Sequence, residues 1–304
     1  MNPNDRTAPL KIGTRRSALA KAQTNWVIGE LSNRYPSLKI EIVEVVTTGD
    51  KILDAPLSQV PGKGLFVKEI EDKLLNGEID LAVHSMKDLP TEFPDGLKIG
   101  CVPQRVEPRD VFISGSGKKL VDMPSGARIG TSSLRRQAQL LRHRPDLRRV
   151  DIRGNIDTRL RKAETEAYDG IILAAAGLLR MGWQDSIVEY IDLDVMIPAV
   201  GQGAIGIEIR SDDAATQELL APLADHSAAR CVEVERAFLS AMGGGCQTPM
   251  GAYCQNKGKR MYLRAFHANE NGSDYVHDEV EGDWEKAVPI ARHVALMFRG
   301  ETAK

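Results

Sequence analysis

Cysteine is scarce in this 304-residue sequence: the four thiols, at 101, 231, 246 and 254, are too few and too scattered for a disulfide framework, and none stands in a Cys-x-x-Cys pair. No histidine accompanies Cys246 or Cys254 at zinc-finger spacing, so no metal site is predicted. No stretch approaches the roughly 20 apolar residues that a membrane helix needs, and the N-terminus from Met1 to Pro9 lacks the apolar core of a signal peptide. A net charge of −2 argues against a general nucleic-acid binder. With these classes set aside, 42% hydrophobic and 27% charged residues describe a globular cytoplasmic protein with reduced thiols and room for two or three cores.

Lysine is missing where cations are densest. Between Arg128 and Arg161 there are ten arginines, no lysine and three acids (Asp146, Asp151, Asp157), a local charge of +7. The planar guanidinium fork suits bidentate binding of carboxylate or phosphate, whereas a merely solvated face would mix the two cations. Arg142, Arg144, Arg148 and Arg149 read equally well as such a face.

Hydrophobic period places the candidates. Leu10–Thr14 reads as a strand, and Ser17 caps a helix to about Leu31, so Arg15 and Arg16 occupy a strand-to-helix turn. Leu38–Val46 alternates as a half-buried strand, Phe66–Asn76 reads as a helix, and Ile79–His84 as a buried strand ending at Ser85-Met86-Lys87-Asp88. A second series has strands Val111–Ser114 and Arg128–Gly130, then Thr131-Ser132-Ser133 opening a helix through His143, which puts Arg135 and Arg136 in a first turn. Cations there oppose the helix dipole, but with free N–H groups and hydroxyls beside them they make an anion site. Strand Arg149–Ile152, the turn Arg153-Gly154-Asn155, a helix carrying Arg159, strand Gly170–Ala174 and a small-residue helix around Gly177 follow. Such β/α alternation predicts largely parallel sheets. Gly201-Gln202-Gly203 precedes a strand, Ile205–Ile209, rather than following one, so it is no dinucleotide loop. After Asp225 a helix from about Ala228 to Met242, strands near Met250–Gln255 and Arg260–His267, and a last helix Trp284–Arg299 suggest a small α+β domain.

Chemistry concentrates at two points. Asp88 lies at the carboxyl end of a strand, where open α/β sheets place their ligands. It reads as a surface ion pair with Lys87 or as the carboxylate that stabilises a developing cation or moves a proton. Cys246, in Gly243-Gly244-Gly245-Cys246-Gln247-Thr248-Pro249, reads as a small buried hydrophobe in a turn or as a thiol that can be closely approached. Lys63, in Gly62-Lys63-Gly64, reads as a mobile-loop lysine or an ordinary turn. His84 reads as a core histidine.

Taken together, Thr14-Arg15-Arg16-Ser17, Gly62-Lys63-Gly64-Leu65-Phe66, Val83-His84-Ser85-Met86-Lys87-Asp88, Gly130-Thr131-Ser132-Ser133-Leu134-Arg135-Arg136, Arg153-Gly154-Asn155, Ala199-Val200-Gly201-Gln202-Gly203 and Gly244-Gly245-Cys246-Gln247 resemble hydroxymethylbilane synthase, also called porphobilinogen deaminase. The motifs occur in the family's order and span about residues 10 to 255. Gly243 departs from the pattern, where many members carry a bulkier or charged residue.

The resemblance implies an enzyme that links porphobilinogen units head to tail with release of ammonia, yielding a linear tetrapyrrole for haem synthesis. It implies a dipyrromethane cofactor held by a thioether to Cys246, with Asp88 as the catalytic residue. Arg15, Ser17, Lys87, Thr131, Ser132, Ser133, Arg135, Arg136, Arg153, Gly154, Asn155 and Arg159 match positions that bind cofactor or substrate, Gln202 one that lines the cleft, and Lys63 with Phe66 a lid. The implied fold has two similar α/β domains like those of periplasmic binding proteins and a small α+β C-terminal domain. Their expected bounds are 1–105 with 201–221, 106–200, and 222–304, and the substrate cleft is expected between the first two. A cytoplasmic monomer without nucleic-acid or membrane partners is expected. Two other classes compete. A solute-binding module would leave Cys246 idle, and a nucleic-acid binder predicts lysines and exposed aromatics among the arginines, which this segment lacks.

Overall fold

The computed structural model describes residues 8–51, 66–165, 168–244, 248–269 and 271–301. Cys246 and Lys63 lie outside the described residues. The chain divides into two compact units, Met1–Arg105 with Ala204–Arg230, and Val106–Gly203 with Cys231–Lys304.

The first unit contains β1 (Leu10–Arg15), α1 (Ala18–Arg34), β2 (Ile40–Val45), a single turn α2 (Thr48–Lys51), α3 (Lys68–Leu75), β3 (Leu81–Ser85), β4 (Leu97–Cys101), and, after the chain returns, β10 (Ile205–Arg210) and α7 (Ala214–Leu220). Its sheet runs β2-β1-β3-β10-β4. Strand β1 pairs parallel with β2 and β3, whereas β10 pairs antiparallel with β3 and β4. Leu10, Ile12, Leu81, Val83, Ile207 and Ile209 interleave with Val27 and Leu31 of α1 and Leu219 and Leu220 of α7 on one face. Ile70 and Leu74 of α3 pack with Ile79 and Ala82 in a second cluster. Ser17 begins α1 as expected, its Oγ accepting the Ala20 N–H at 3.3 Å.

The second unit repeats this scheme. It contains β5 (Asp110–Ile113), β6 (Arg128–Gly130), α4 (Leu134–His143), β7 (Arg148–Val150), α5 (Ile156–Thr165), β8 (Gly170–Ala174), α6 (Ala175–Met181) and β9 (Glu189–Tyr190). The order is β7-β6-β8-β5-β9, with β6 parallel to β7 and β8, and β5 antiparallel to β8 and β9. Both sheets are therefore mixed, where sequence periodicity predicted largely parallel ones. The reversed strand in each sheet, β10 or β5, is the one that follows a change of unit, at 203/204 or 105/106. No helical crossover joins it to its neighbour, so nothing imposes the parallel direction.

The C-terminal portion of this unit has α8 (His226–Ala241), the antiparallel meander β11 (Met250–Lys257), β12 (Arg260–His267) and β13 (Val276–Asp283), and α9 (Ala287–Phe298). Strand β13 is absent from the sequence reading because half of its residues, Val-His-Asp-Glu-Val-Glu-Gly-Asp, are acidic, as an edge strand tolerates. Helix α8 stops in a Schellman motif: Gly243 N–H bonds Ser240 O at 3.0 Å and Gly244 N–H bonds Leu239 O at 2.9 Å, with φ of +91° and +61°. Glycine at 243 is thus a helix stop, which gives its departure from the family pattern a backbone reason.

Phe238 is fully buried in the core of this portion with Met261, Leu263, Ala291 and Val294, and meets Phe298 edge-on at 5.9 Å. Phe238→Ala should cost about 3–5 kcal/mol in chemical denaturation. A loss under about 1 kcal/mol, the scale of an exposed contact, would contradict that packing.

Candidate functional site

Each α/β unit presents its candidates at strand ends. In the first, Arg15 closes β1 and bonds Asp50 through Nη2 at 2.5 Å, while its guanidinium lies 4.2 Å from the centroid of the Phe66 ring. Phe66 rests on bare backbone at Gly49, where a Cβ would come within 2.2 Å of the ring. Burial opposes ionisation of Asp50, but bonds from Arg15 and Thr47 outweigh it and lower its pKa. Asp50 was not anticipated, because nothing local marks it as Arg15's partner.

Strand β3 ends in a 3₁₀ turn, Met86–Asp88, that exposes Asp88 and half-buries Lys87. The turn is held from β10: Met86 N–H bonds Ala204 O at 3.0 Å, and a Cβ on Gly206 would meet Leu89 Cδ1 at 2.7 Å and Met86 Cε at 2.9 Å. Ser85, just before the turn, accepts from Nε2 of buried Gln23 at 2.8 Å.

In the second unit the first-turn arginines of α4 are largely engaged internally. Arg135 donates to Asp110 Oδ2 at 2.6 Å and to Ile197 O at 2.7 Å, and Arg136 donates to Asp110 Oδ1 at 2.7 Å and to Ile172 O at 2.9 Å. Asp110 is completely buried, which alone would raise its pKa; the two guanidiniums overcome burial and hold it far below the ordinary carboxylate range. One acid against two bases leaves a charge of +1.

Gln202 is buried with them, donating to Pro108 O at 2.7 Å and Asp110 Oδ1 at 3.1 Å and accepting from Arg135 at 3.4 Å. It therefore braces the ion cluster. Gly203 beside it has φ of +90° and leaves 2.7 Å between a hypothetical Cβ and Val106 O, so the GxG is a tight turn.

Ser132 exchanges hydrogen bonds with the backbone of Ile152 at 2.9 and 3.0 Å, and Thr131 N–H bonds Val150 O at 2.8 Å, which ties the loop before α4 to the chain before Arg153. Ser133 is the N-cap of α4, in extended conformation and without a side-chain cap bond. Half-buried Arg153 and the exposed Gly154 and Asn155 form the turn into α5, and Arg159 Nε donates to Gly154 O at 2.8 Å.

Arg159 carries the signature of an anion site. Its pKa is drawn down to about 10, first by burial and then by Arg136 and Arg153, with no carboxylate among the described residues opposing them. Arg180 of α6 is likewise lowered to about 10 by burial, its Nη2 donating only to Gly203 O at 2.8 Å among the described residues. Arg180 was missed because a single cation in an Ala-Ala-Gly-Leu-Leu-Arg-Met helix reads as a solvated end. Asp110 was missed as the first residue of a buried strand.

Arg144, one of the ambiguous four, is structural: it pairs with Asp146 at 2.8 Å and donates to the carbonyls of Leu120, Val121 and Met123. Arg142 stacks 4.4 Å from the centroid of Tyr275. Three described cysteines, 101, 231 and 254, are buried, and burial pushes the Cys101 thiol up to about 12. Among the described residues no cluster of His, Cys, Asp or Glu could hold a metal, and no helix is long and apolar enough to cross a membrane.

Fold and geometry together define an α/β protein whose guanidiniums at Arg159 and Arg180 meet no balancing acid among the described residues, an arrangement suited to a carboxylate- or phosphate-bearing ligand. The family model for "Porphobilinogen deaminase, dipyromethane cofactor binding domain" matches residues 10–218, and that for the porphobilinogen deaminase C-terminal domain matches residues 229–300. Porphobilinogen deaminase of Geobacter metallireducens is 54% identical over 273 residues, which cover 90% of this chain and 86% of the relative. That of Carboxydothermus hydrogenoformans is 52% identical over 291 residues, 95% of this chain and 94% of the relative. Among solved structures, the methionine-binding protein MetQ aligns with 76% of this chain and 96% of its own at 14% identity and a TM-score of 0.46. The chain belongs to the porphobilinogen deaminase family, transferases of tetrapyrrole biosynthesis with a dipyrromethane cofactor.

Asp110→Asn would leave two buried guanidiniums unbalanced and should destabilise the protein by about 3–5 kcal/mol near neutral pH. Because the Asp110 pKa is lowered on folding, its contribution is present above the unfolded value of about 4 and fades as pH falls below it. The variant should therefore lose less stability on acidification than the parent. Equal stability of the two proteins at pH 7, measured by urea denaturation, would show that the cluster does not need its carboxylate.

Proposed function

We propose that this chain makes hydroxymethylbilane by stepwise deaminating condensation of porphobilinogen, with Arg136, Arg153, Arg159 and Arg180 holding pyrrole carboxylates and Asp88 assisting the chemistry. The observation that carries the reading is Arg159, partly buried among like charges with no acid among the described residues to balance it. Such a site costs stability when unliganded and favours a ligand that arrives with several carboxylates. Each pyrrole unit brings two, an acetate and a propionate, so product growth accumulates the charge that the arginines lack.

The same observation fits the cofactor, whose carboxylates suit Arg135, Arg136, Arg153 and Arg159, with the Ser133 hydroxyl and the first-turn N–H groups of α4 beside them. Arg15, Ser17 and Lys87 are assigned further cofactor or substrate contacts, Thr131, Ser132, Gly154 and Asn155 shape the loops, and Gln202 keeps Arg135 in place. Bound dipyrromethane supplies the primer for chain growth, and we assign its attachment, by thioether, to Cys246. Burial of Cys101, Cys231 and Cys254 supports that choice, since a buried thiol resists ionisation and access. Lys63 and Phe66 are assigned to a lid, and the Phe66 ring lies against Arg15.

In each addition the aminomethyl C–N bond of porphobilinogen breaks, ammonia leaves, and the methylene carbon bonds to a pyrrole carbon that then releases its proton. Asp88 is a carboxylate at the tip of its turn, able to stabilise the cation formed as ammonia departs and to receive that proton. We further propose a three-domain organisation with the C-terminal meander as the third, and a cytoplasmic monomer that acts on porphobilinogen without nucleic acid.

Intact mass spectrometry of protein from cells that make porphobilinogen should show a mass above the sequence by two linked pyrrole units, absent in Cys246→Ser. An unmodified parent mass, or an unchanged adduct in the variant, would remove the assignment. Asp88→Ala should retain the adduct yet lose about 10²-fold or more in kcat, the scale of general acid–base assistance. Near-normal turnover would exclude Asp88.

A further inference from the structure

Beneath the turn that carries Asp88 lies a group of ionisable side chains that the proposed chemistry does not use. His84 of β3 is opposite Gly206 of β10, and Glu208 is opposite Ala82, so the imidazole and the carboxylate share one face of the sheet. Their side chains are 3% and 0% exposed, and His84 Nε2 lies 3.0 Å from Glu208 Oε2. Helix α3 covers this face and adds Glu71, which is 6% exposed.

Both oxygens of Glu208, Nε2 of His84 and Oε1 of Glu71 are buried without an aligned hydrogen bond. Two carboxylates and one imidazole in a dry interior need two protons among them to reach neutrality. Among the described residues the register places Gly13 of β1 and Ile99 of β4 nearest on this face; Lys11 and Arg15 lie on it two residues to either side of Gly13, and Arg15 is paired with Asp50. On α3, Glu69 turns to Thr48 and Lys73 to Glu78, and exposed Asp72 acts on Glu71 only weakly and unfavourably. Arg210 of β10 is bonded to the carbonyls of Leu74 and Ile79 and to Asp213, and also pairs with Asp80.

We propose that His84, Glu208 and Glu71 form a two-proton triad that positions the Asp88 turn, and that loss of the proton on Glu71 loosens the β3–β10 junction holding it. The proposal rests on the catalytic assignment of Asp88. Its lever is Gly206, opposite His84, against which Met86 and Leu89 of the turn are seated. When Glu71 releases its proton to solvent, its anion faces the second carboxylate across a single imidazole beneath that seat. Burial, and then Glu208, raise the Glu71 pKa to about 7, with His84 opposing. A raised acid favours the closed state most below its unfolded value of about 4.3, and that advantage declines as pH rises to about 7. All three are positioning residues, since none is argued to touch substrate.

Hydrogen exchange of the holoenzyme tests this, corrected for intrinsic rates. Peptides spanning Leu81–Leu89 and Ile205–Ile209 should open more readily by up to about tenfold per pH unit between about pH 5 and pH 7. In Glu71→Gln, which keeps the shape of the protonated acid, that dependence should vanish. The parent kcat should decline above about pH 7 with KM unchanged, and the decline should move up by about one pH unit or more in the variant. Glu208→Gln, which leaves a single carboxylate, should likewise abolish the pH-dependent opening.

Identical exchange and rate profiles in parent and Glu71→Gln would overturn the proposal. So would an insoluble Glu71→Gln accompanied by Glu208→Gln that retains the pH-dependent opening. Asp88→Ala separates the two claims, for it should lose turnover and keep the pH-dependent exchange. Normal turnover there would remove the catalytic assignment and leave the exchange result standing.

Discussion

A buried carboxylate shared by two guanidiniums organises the second α/β unit. Asp110 begins β5, Arg135 and Arg136 begin α4, and Gln202 reaches the same cluster from the turn at residues 201–203. Segments distant in sequence are thereby fastened at a single ionic point, which has meaning only if all of them arrive. Its balance is deliberately incomplete in the physical sense: one negative charge faces two positive ones, and Arg153 and Arg159 add more. The interior is stable enough to hold cations in place and positive enough to favour an anionic ligand.

The first unit solves a different problem with the same topology. Its returning strand, β10, is both a sheet member and the support of the turn bearing Lys87 and Asp88, through Ala204 O and the bare Cα of Gly206. The same strand carries Glu208 into the protein interior beside His84. Strand pairing, turn geometry and buried ionisation therefore meet within a few residues, so the environment of the exposed carboxylate depends on groups that it never touches.

Much of the secondary structure was legible in the chain. Helix α4 and strands β6, β8 and β12 lie where period and composition put them, because each alternates or repeats with little interference from tertiary demands. Strand β13 was not legible, since an acid-rich edge strand owes its conformation to the neighbour it pairs with. The site was legible as motifs rather than as contacts. Arg15, Arg135 and Arg136 stood out by position, yet their partners Asp50 and Asp110 did not, because an ion pair across 35 or 25 residues leaves no local pattern. Arg180 escaped notice for the same reason: its significance is burial without an acid, and burial is not a sequence property.

Local order, the arginine-only segment and the ordered motifs are properties of the chain alone, set by side-chain chemistry and hydrophobic period, and they suffice to place the protein in its family. Tertiary structure decided the direction of β5 and β10, the commitment of Gln202 and Arg144 to structural bonds, and which cations remain without a counter-charge. Those outcomes depend on which groups meet when water is excluded, since a charge declares its role only once its distance to every other charge is set.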